Sequence, residues 1–185
     1  ALQGEGDLVP IFMVHTASGH VASYRSLIQH LPARQPLFGF EGTGLTGTCT
    51  PDVLVQQRAT RYVQTARHLQ GRMLKRSDVA YNLAGFSSGG VICYEMARQL
   101  IEAGETVARL LLIDTAAPEN QAVPWQELIT WFLDDLQLGY VADALDLSAQ
   151  HLAESDAWEV MIKQLGRALL PSSIEKLMPI YGVFS

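Results

Sequence analysis

The chain has 185 residues, of which 48% are hydrophobic and 17% are charged, and its formal net charge is −6. This length and composition allow one domain with a sizeable core. The acidic balance argues against a nucleic-acid partner, which would be bound by clustered Lys and Arg. We find no apolar stretch of the ~20 residues that a membrane span needs, and no signal peptide is evident. Cys49 and Cys93 suggest neither a disulfide framework nor a metal site, so we expect a reduced, cytoplasmic protein.

Short apolar runs alternate with helical patterns in the first two thirds of the chain. The apolar runs predict strands at residues 9–15, 36–42, 79–85 and 106–118. Apolar residues at intervals of three and four predict helices at residues 21–31, 52–74 and 88–103. The third helix has one apolar stripe, formed by Ile92, Cys93, Met96, Ala97, Leu100 and Ile101, and Gly104 is its predicted cap. Continuous apolar strands separated by helices indicate an α/β fold, a parallel sheet with helices on both faces.

The sequence changes character at about Glu119. Amphipathic helical patterns follow one another from there without an intervening strand. We therefore divide the chain into a core at residues 1–118 and a helical lid or insertion at residues 119–185. Trp125, Trp131 and Phe132 are candidates to line a channel, although packing of the lid on the core is the more ordinary role of such aromatic residues.

The segment Gly85-Phe86-Ser87-Ser88-Gly89 joins the third predicted strand to the third helix and matches the pattern G-x-S-x-G. In such a turn the serine has strained backbone geometry, and its Oγ projects above the sheet. The two glycines let strand and helix approach closely. The start of the helix directs unpaired N–H groups and a positive dipole end at the same place. We predict that Ser87 is a nucleophile and that the backbone N–H of Ser88 binds an oxyanion.

These glycines have two alternative interpretations. A bare G-x-S-x-G also arises by chance, in which case the segment is a structural Gly-rich turn; the strand before it and the helix after it favour the nucleophile. A dinucleotide-binding loop requires G-x-G-x-x-G, which Gly85, Gly89 and Gly90 do not fit, and no P-loop Lys follows.

A nucleophilic serine needs a base, an acid that orients the base, and an oxyanion hole. Asp114 is the candidate acid, because it ends the strand after Ser87 and the carboxyl ends of parallel strands meet at one edge. Its alternative role is to brace the turn that follows. The loop at residues 15–20 is the candidate second side of the oxyanion hole, with Ala17 as the expected donor.

Four segments resemble the thioesterase domain at the end of polyketide synthases and nonribosomal peptide synthetases, a branch of the α/β-hydrolases. The segments are "PIFMVHTASGHVASYRSLIQHLP", "PLFGFEGTGL", "LAGFSSGGVICYEMARQLIEAGETVARLLLID" and "TAAPEN". They follow the order and approximate spacing of that family over residues 9–120. Asp114 follows Ser87 by 27 residues, which resembles the integrated, chain-terminating branch.

The resemblance implies an α/β-hydrolase fold, with a mostly parallel central sheet flanked by helices and a helical lid. It also implies transfer of an acyl chain from the phosphopantetheine arm of an acyl or peptidyl carrier protein onto Ser87. Water or a nucleophile within the chain then releases it. No metal and no dissociable cofactor are implied. A homodimer is compatible with the resemblance, although the N-terminal helices by which some members pair are not seen before Val9.

The catalytic histidine of such a domain is the feature that we do not find. The resemblance places it near the C-terminus, after strands that should follow the lid, so we expect an incomplete thioesterase domain with its base outside these residues. Such a core would expose a sheet edge and apolar surface. His15 and His20 are expected to be polar loop structure. The other histidines are expected at the surface: His30, His68 and His151.

Two further functions remain open on the same fold. The first is a general serine esterase or lipase, which activity on simple oxygen esters would distinguish from a thioesterase. The second is a non-catalytic interaction module that has lost its base. Basic residues of the long helix are candidates to bind an acidic carrier, although they more often form a solvated face: Arg58, Arg61, Arg67, Arg72, Lys75 and Arg76.

Overall fold

The computed structural model describes residues 1–42, 54–75, 79–116, 130 and 133–134. The chain divides into two compact units, Ala1–Gly42 with Asp52–Glu119, and Thr43–Pro51 with Asn120–Ser185. All strands and helices at residues 1–42, 54–75 and 79–116 belong to the first unit. Trp125, Trp131 and Phe132 of the predicted lid lie outside the described residues, so their roles stay predictions.

In the described part of the first unit, four parallel strands form one sheet. They are β1 (Ile11–Val14), β2 (Leu37–Phe40), β3 (Tyr81–Phe86) and β4 (Val107–Ile113), in the spatial order β2-β1-β3-β4. All three pairings are parallel, as the continuous apolar runs predicted. Beside β2 the N-terminal segment makes one antiparallel bridge, from Gln3 to Leu37.

Helices cover both faces of this sheet, which confirms the predicted α/β architecture. One face packs against α2 (Val55–Leu74) and α3 (Ser88–Glu102) through a core that includes Phe12, Tyr62 and Met96. The other face packs against a 3₁₀ turn (Ala22–Tyr24) and the short α1 (Arg25–Ile28).

The predicted helix at residues 21–31 is shorter than its sequence pattern indicated. After α1 the chain continues with i→i+3 bonds, from the His30 N–H to the Leu27 carbonyl and from the Leu31 N–H to the Ile28 carbonyl. The Tyr24 hydroxyl donates to the Val14 carbonyl at 2.7 Å. This tertiary bond anchors the segment where a short helix has little intrinsic stability.

The apolar stripe of α3 is confirmed except at one residue. Ile92, Cys93, Met96, Ala97 and Leu100 are buried, but Ile101 is 62% exposed. It lies two turns after the exposed Tyr94 and shares that solvent-facing side of the helix. The predicted cap is present: Gly104 has φ +80°, its N–H bonds the Ile101 carbonyl, and the Glu105 N–H bonds the Leu100 carbonyl.

The exposed sheet edge expected from the sequence is β4. In the described part of the chain this strand pairs with β3 alone, and Leu110, Leu111, Leu112 and Ile113 are 36–56% exposed. Among the described helices, none has both the length and the apolar character to cross a membrane.

Candidate active site

The turn between β3 and α3 has the strained geometry that its sequence predicted. Ser87 has φ 53° and ψ −126°, a region that L residues rarely occupy and that costs on the order of 1–3 kcal/mol. Two backbone bonds hold this conformation. The Ser87 N–H donates to the Ile113 carbonyl at 2.9 Å, and the Gly90 N–H donates to the Ser87 carbonyl at 3.0 Å. The Ser87 residue is half-buried and Ser88 is exposed.

Gly85 and Gly89, on either side of the serine, each lie in close contact with the backbone of a neighbouring segment. A Cβ on Gly85 would overlap the carbonyl group of Gly89 and lie 2.6 Å from the Gly90 nitrogen. A Cβ on Gly89 would overlap the His15 carbonyl oxygen and lie 2.7 Å from the Val14 carbonyl oxygen. Backbone atoms cannot move aside as a flexible side chain can. The start of α3 is therefore in direct contact with both β3 and the end of β1.

Asp114 lies beside Ser87 at the carboxyl edge of the sheet. Phe86 of β3 pairs with Ile113 of β4, so Ser87 and Asp114 are the next residues on neighbouring strands. Asp114 is exposed and has φ 46°, so both candidate catalytic residues have a left-handed backbone. Within the described residues the Asp114 carboxylate makes no hydrogen bond. The turn is braced instead by Thr115, whose hydroxyl donates to the Ile113 carbonyl at 3.2 Å.

The loop after β1 is built from buried polar residues. His15, Thr16 and Ser18 are each 2–3% exposed, and Ala17 between them is half-buried. The Gly19 N–H donates to the Thr16 carbonyl at 3.0 Å, and the hydroxyls of Thr16 and Ser18 are 3.2 Å apart. Since β1 pairs with β3, this loop and the serine turn end on adjacent strands. The oxyanion donor predicted at Ala17 is thus on a fixed loop next to the start of α3.

His15 has the loop-structural role expected of it. Its Nδ1 lies 2.6 Å from the Thr16 carbonyl oxygen, which can only accept, so Nδ1 carries a proton. The ring packs edge-on against Tyr62 with 6.0 Å between centroids. His30 and His68 are exposed, as predicted, and His151 lies outside the described residues. No histidine in the described ranges is hydrogen-bonded to the Ser87 hydroxyl.

The thiol of Cys93, in α3, is a second nucleophilic group near the turn, but it is unreactive. Its thiol is buried and lies 3.0 Å from the Ala84 carbonyl oxygen. Burial raises the pKa of the Cys93 thiol to about 12. It therefore stays protonated and unreactive at neutral pH. The described residues contain no group of three or more His, Cys, Asp or Glu side chains placed to hold a metal ion.

Sequence reasoning missed two contacts of this edge. The first is the bond from Tyr24 to the Val14 carbonyl, which ties the short-helix segment to the end of β1. The second is the contact of Thr115 with Gly90. A signal for the second was present, because Gly90 is a glycine that the G-x-S-x-G pattern does not require.

The chain is similar to known proteins in sequence and in fold. The family model described as "Thioesterase domain" matches residues 9–162. Malpibaldin synthetase of Mortierella alpina is 30% identical over 116 residues, which cover 63% of this chain and 2% of the synthetase. Non-reducing polyketide synthase rads2 of Floropilus chiversii is 33% identical over 118 residues, which cover 61% of this chain and 5% of the synthase.

Among solved structures, this chain is similar in fold to the NocB thioesterase domain, which was solved in covalent complex with a fluorophosphonate nocardicin G analog. The TM-score is 0.59 at 22% identity, over 96% of this chain and 66% of that one. This likeness shows the α/β-hydrolase fold that the sequence predicted. The chain therefore spans a small part of the curated synthases it matches and about two thirds of the solved domain.

Proposed function

Because the chain belongs to the thioesterase domain family, we propose that it releases an acyl, polyketide or peptidyl chain from the phosphopantetheine arm of a carrier protein. The observation that carries the proposal is the backbone of Ser87, with φ 53° at a strand-to-helix turn that directs helical N–H groups at the same point. The names of the relatives, a polyketide synthase and a synthetase, support a carrier-bound substrate.

In the first half-reaction the Ser87 oxygen attacks the thioester carbonyl, and a histidine base takes the hydroxyl proton. The N–H groups of Ala17 and Ser88 stabilise the negative charge that develops on the carbonyl oxygen, each worth roughly 10²–10³ in rate. The carbon–sulfur bond then breaks. The pantetheine thiolate takes the proton from the base, and an ester remains on Ser87. Asp114 orients the base, which lies outside the described residues.

In the second half-reaction an oxygen or nitrogen nucleophile attacks the ester. Water gives the free acid, whereas a hydroxyl or amine of the bound chain gives a lactone or a lactam. The histidine removes the proton of the attacking group and returns it to the Ser87 oxygen, which restores the starting enzyme. This chemistry is covalent catalysis by side chains, so the proposal includes no metal and no dissociable cofactor. A cytoplasmic location and a homodimer stay predictions.

The experiment is acyl transfer to the natural full-length protein from an acyl-pantetheine thioester, followed by mass spectrometry of the Ser87 peptide. Ser87→Ala should abolish loading, since loss of the nucleophile typically costs about 10⁶-fold in rate. Ser26→Ala is the matched control, because Ser26 is an exposed serine of α1 that is distant from Ser87 in the sequence. Loading that persists in Ser87→Ala would refute the proposal.

Two further assays on the natural full-length protein, turnover of simple oxygen esters and labelling by a fluorophosphonate, distinguish the other functions. Faster turnover of simple oxygen esters than of acyl-pantetheine would indicate a general esterase or lipase. A natural protein in which Ser87 reacts neither with the thioester nor with a fluorophosphonate would indicate a non-catalytic module.

A further inference from the structure

Gly90 and Thr115 are in contact at the carboxyl edge of the sheet. A Cβ on Gly90 would overlap the Thr115 Oγ1 and lie 2.7 Å from its Cγ2 and 2.8 Å from its Cβ. The three nearest atoms thus all belong to one side chain. Thr115 occupies the space above the first turn of α3, the helix that begins directly after Ser87.

The Ile113 carbonyl links the same two segments. It accepts the Ser87 N–H at 2.9 Å and the Thr115 hydroxyl at 3.2 Å. The Ile113 carbonyl oxygen thus accepts hydrogen bonds from Ser87, the proposed nucleophile, and from Thr115, the residue after Asp114. Asp114 lies between Ile113 and Thr115 in the chain, with φ 46°.

We propose that Thr115 is a positioning residue for Asp114, through its hydroxyl on the Ile113 carbonyl and the packing of its side chain against Gly90. The left-handed conformation of Asp114 is unfavourable by itself for an L residue. The two Thr115 contacts fix the backbone on the far side of Asp114, while the strand pairing of Ile113 fixes the near side. The carboxylate then leaves the sheet at the edge where Ser87 lies.

This assignment also explains the glycine at position 90. Gly85 and Gly89 allow the backbones of strand, helix and loop to touch, whereas Gly90 leaves room for the Thr115 side chain. Any larger residue at position 90 would displace Thr115, and the backbone after Asp114 would no longer be held in place. The inference rests on the proposed function, because Asp114 is the acid of that reaction.

The test is the second-order rate of Ser87 labelling by a fluorophosphonate in the natural full-length protein. Thr115→Val keeps the shape but removes the hydroxyl, and it should lower the rate about tenfold, the effect of one lost hydrogen bond. Thr115→Ser keeps the hydroxyl and should stay within about threefold of the natural protein. Thr106→Val is the matched control, since Thr106 is exposed at the other end of β4.

A double-mutant cycle separates positioning from general packing. If Thr115 acts through Asp114, Thr115→Val should cause no further loss in an Asp114→Asn background. Losses that multiply, or a Thr115→Val protein that labels at the natural rate, would overturn the inference. Absence of labelling in the natural protein would instead refute the proposed function.

Gly90→Ala tests the same contact without changing Thr115. Alanine is otherwise favoured over glycine within a helix. The variant should nevertheless label more slowly, by an amount similar to Thr115→Val, because its Cβ displaces the threonine. In a Thr115→Gly background, which already lacks the positioning side chain, Gly90→Ala should cause little further loss of labelling rate. An equal loss in both backgrounds would show that the contact does not position the acid.

Discussion

The sheet has a carboxyl edge, where its parallel strands end, and an amino edge, where they begin, and different kinds of contact stabilise the two. At the carboxyl edge, Ser87 and Asp114 have unfavourable left-handed backbones, and α3 touches β1 and β3 through backbone atoms. At the amino edge, polar side chains form hydrogen bonds with one another. The Tyr81 hydroxyl and the Arg67 guanidinium both donate to Glu105. Backbone strain is therefore found at the edge that carries the two proposed catalytic residues, and ordinary side-chain bonds stabilise the opposite edge.

The protonation of the amino-edge cluster follows from its contacts. Burial opposes the charged form of Glu105, but hydrogen bonds from Arg67 and Tyr81 outweigh it and lower the pKa of the Glu105 carboxyl. Burial, with the hydrogen bond to Glu105, raises the pKa of Tyr81 to about 12. Glu105 therefore stabilises the fold above its ordinary pKa, and this contribution is lost as pH falls through the lowered value.

Gly89→Ala should break the carboxyl edge most severely. Its Cβ would overlap the His15 carbonyl oxygen, and neither that loop nor the first turn of α3 can shift without moving the backbone next to Ser87. We expect a loss of about 1–3 kcal/mol in stability and a fall of at least about 100-fold in Ser87 labelling, the effect of a misplaced oxyanion donor. Labelling kinetics and thermal unfolding measure both. A variant that labels normally would show that the close approach is dispensable.

Glu105→Gln should weaken the amino edge and leave the carboxyl edge intact. Loss of the charged acceptor for Arg67 and Tyr81 should cost about 1–2 kcal/mol at neutral pH. The difference from the natural protein should shrink as pH falls through the lowered pKa of the folded-state Glu105 carboxyl, below which Glu105 is protonated in both folded and unfolded chains. Hydrogen exchange of the β3 amides measures the cost. An unchanged difference at low pH, or a changed Ser87 labelling rate, would contradict the separation of the two edges.

Replacement of Ser87 by two small residues measures the strain directly. Glycine adopts φ 53° and ψ −126° far more easily than an L residue, so Ser87→Gly should be more stable than Ser87→Ala by about 1 kcal/mol. Both variants lack the nucleophile, so function does not enter the comparison. Thermal unfolding of the pair decides it, and equal stability would mean that the turn is unstrained.

Gly71→Ala should give the smallest effect, and in the opposite direction. A Cβ there meets nothing within 4 Å, and the residue lies inside α2. Alanine should stabilise the protein by up to about 1 kcal/mol, because glycine is the poorer helix former. It also serves as the control for Gly89→Ala. Destabilisation by Gly71→Ala would show that helical glycines are constrained throughout and not only at the carboxyl edge.

Local pattern was enough to predict the strands, the start of α3 at Ser88 and the capping glycine, Gly104, that follows its end. Apolar runs, helical periodicity and turn residues are properties of neighbouring positions. The contact of Thr115 with Gly90 depends on the register of β3 against β4, which no local pattern carries. The exposure of Ile101 was missed because periodicity gives the centre of an apolar stripe but not its width. The short α1 was overestimated because the bond from Tyr24 to Val14, a tertiary contact, decides that segment.

The central claim is that the strained turn presents Ser87, and not its neighbour, as the nucleophile. The most direct measurement is mass spectrometry of the natural full-length protein after treatment with a fluorophosphonate, with fragmentation that locates the adduct within Gly85-Phe86-Ser87-Ser88-Gly89. We expect one adduct, on Ser87. An adduct on Ser88, or none on this peptide, would contradict it.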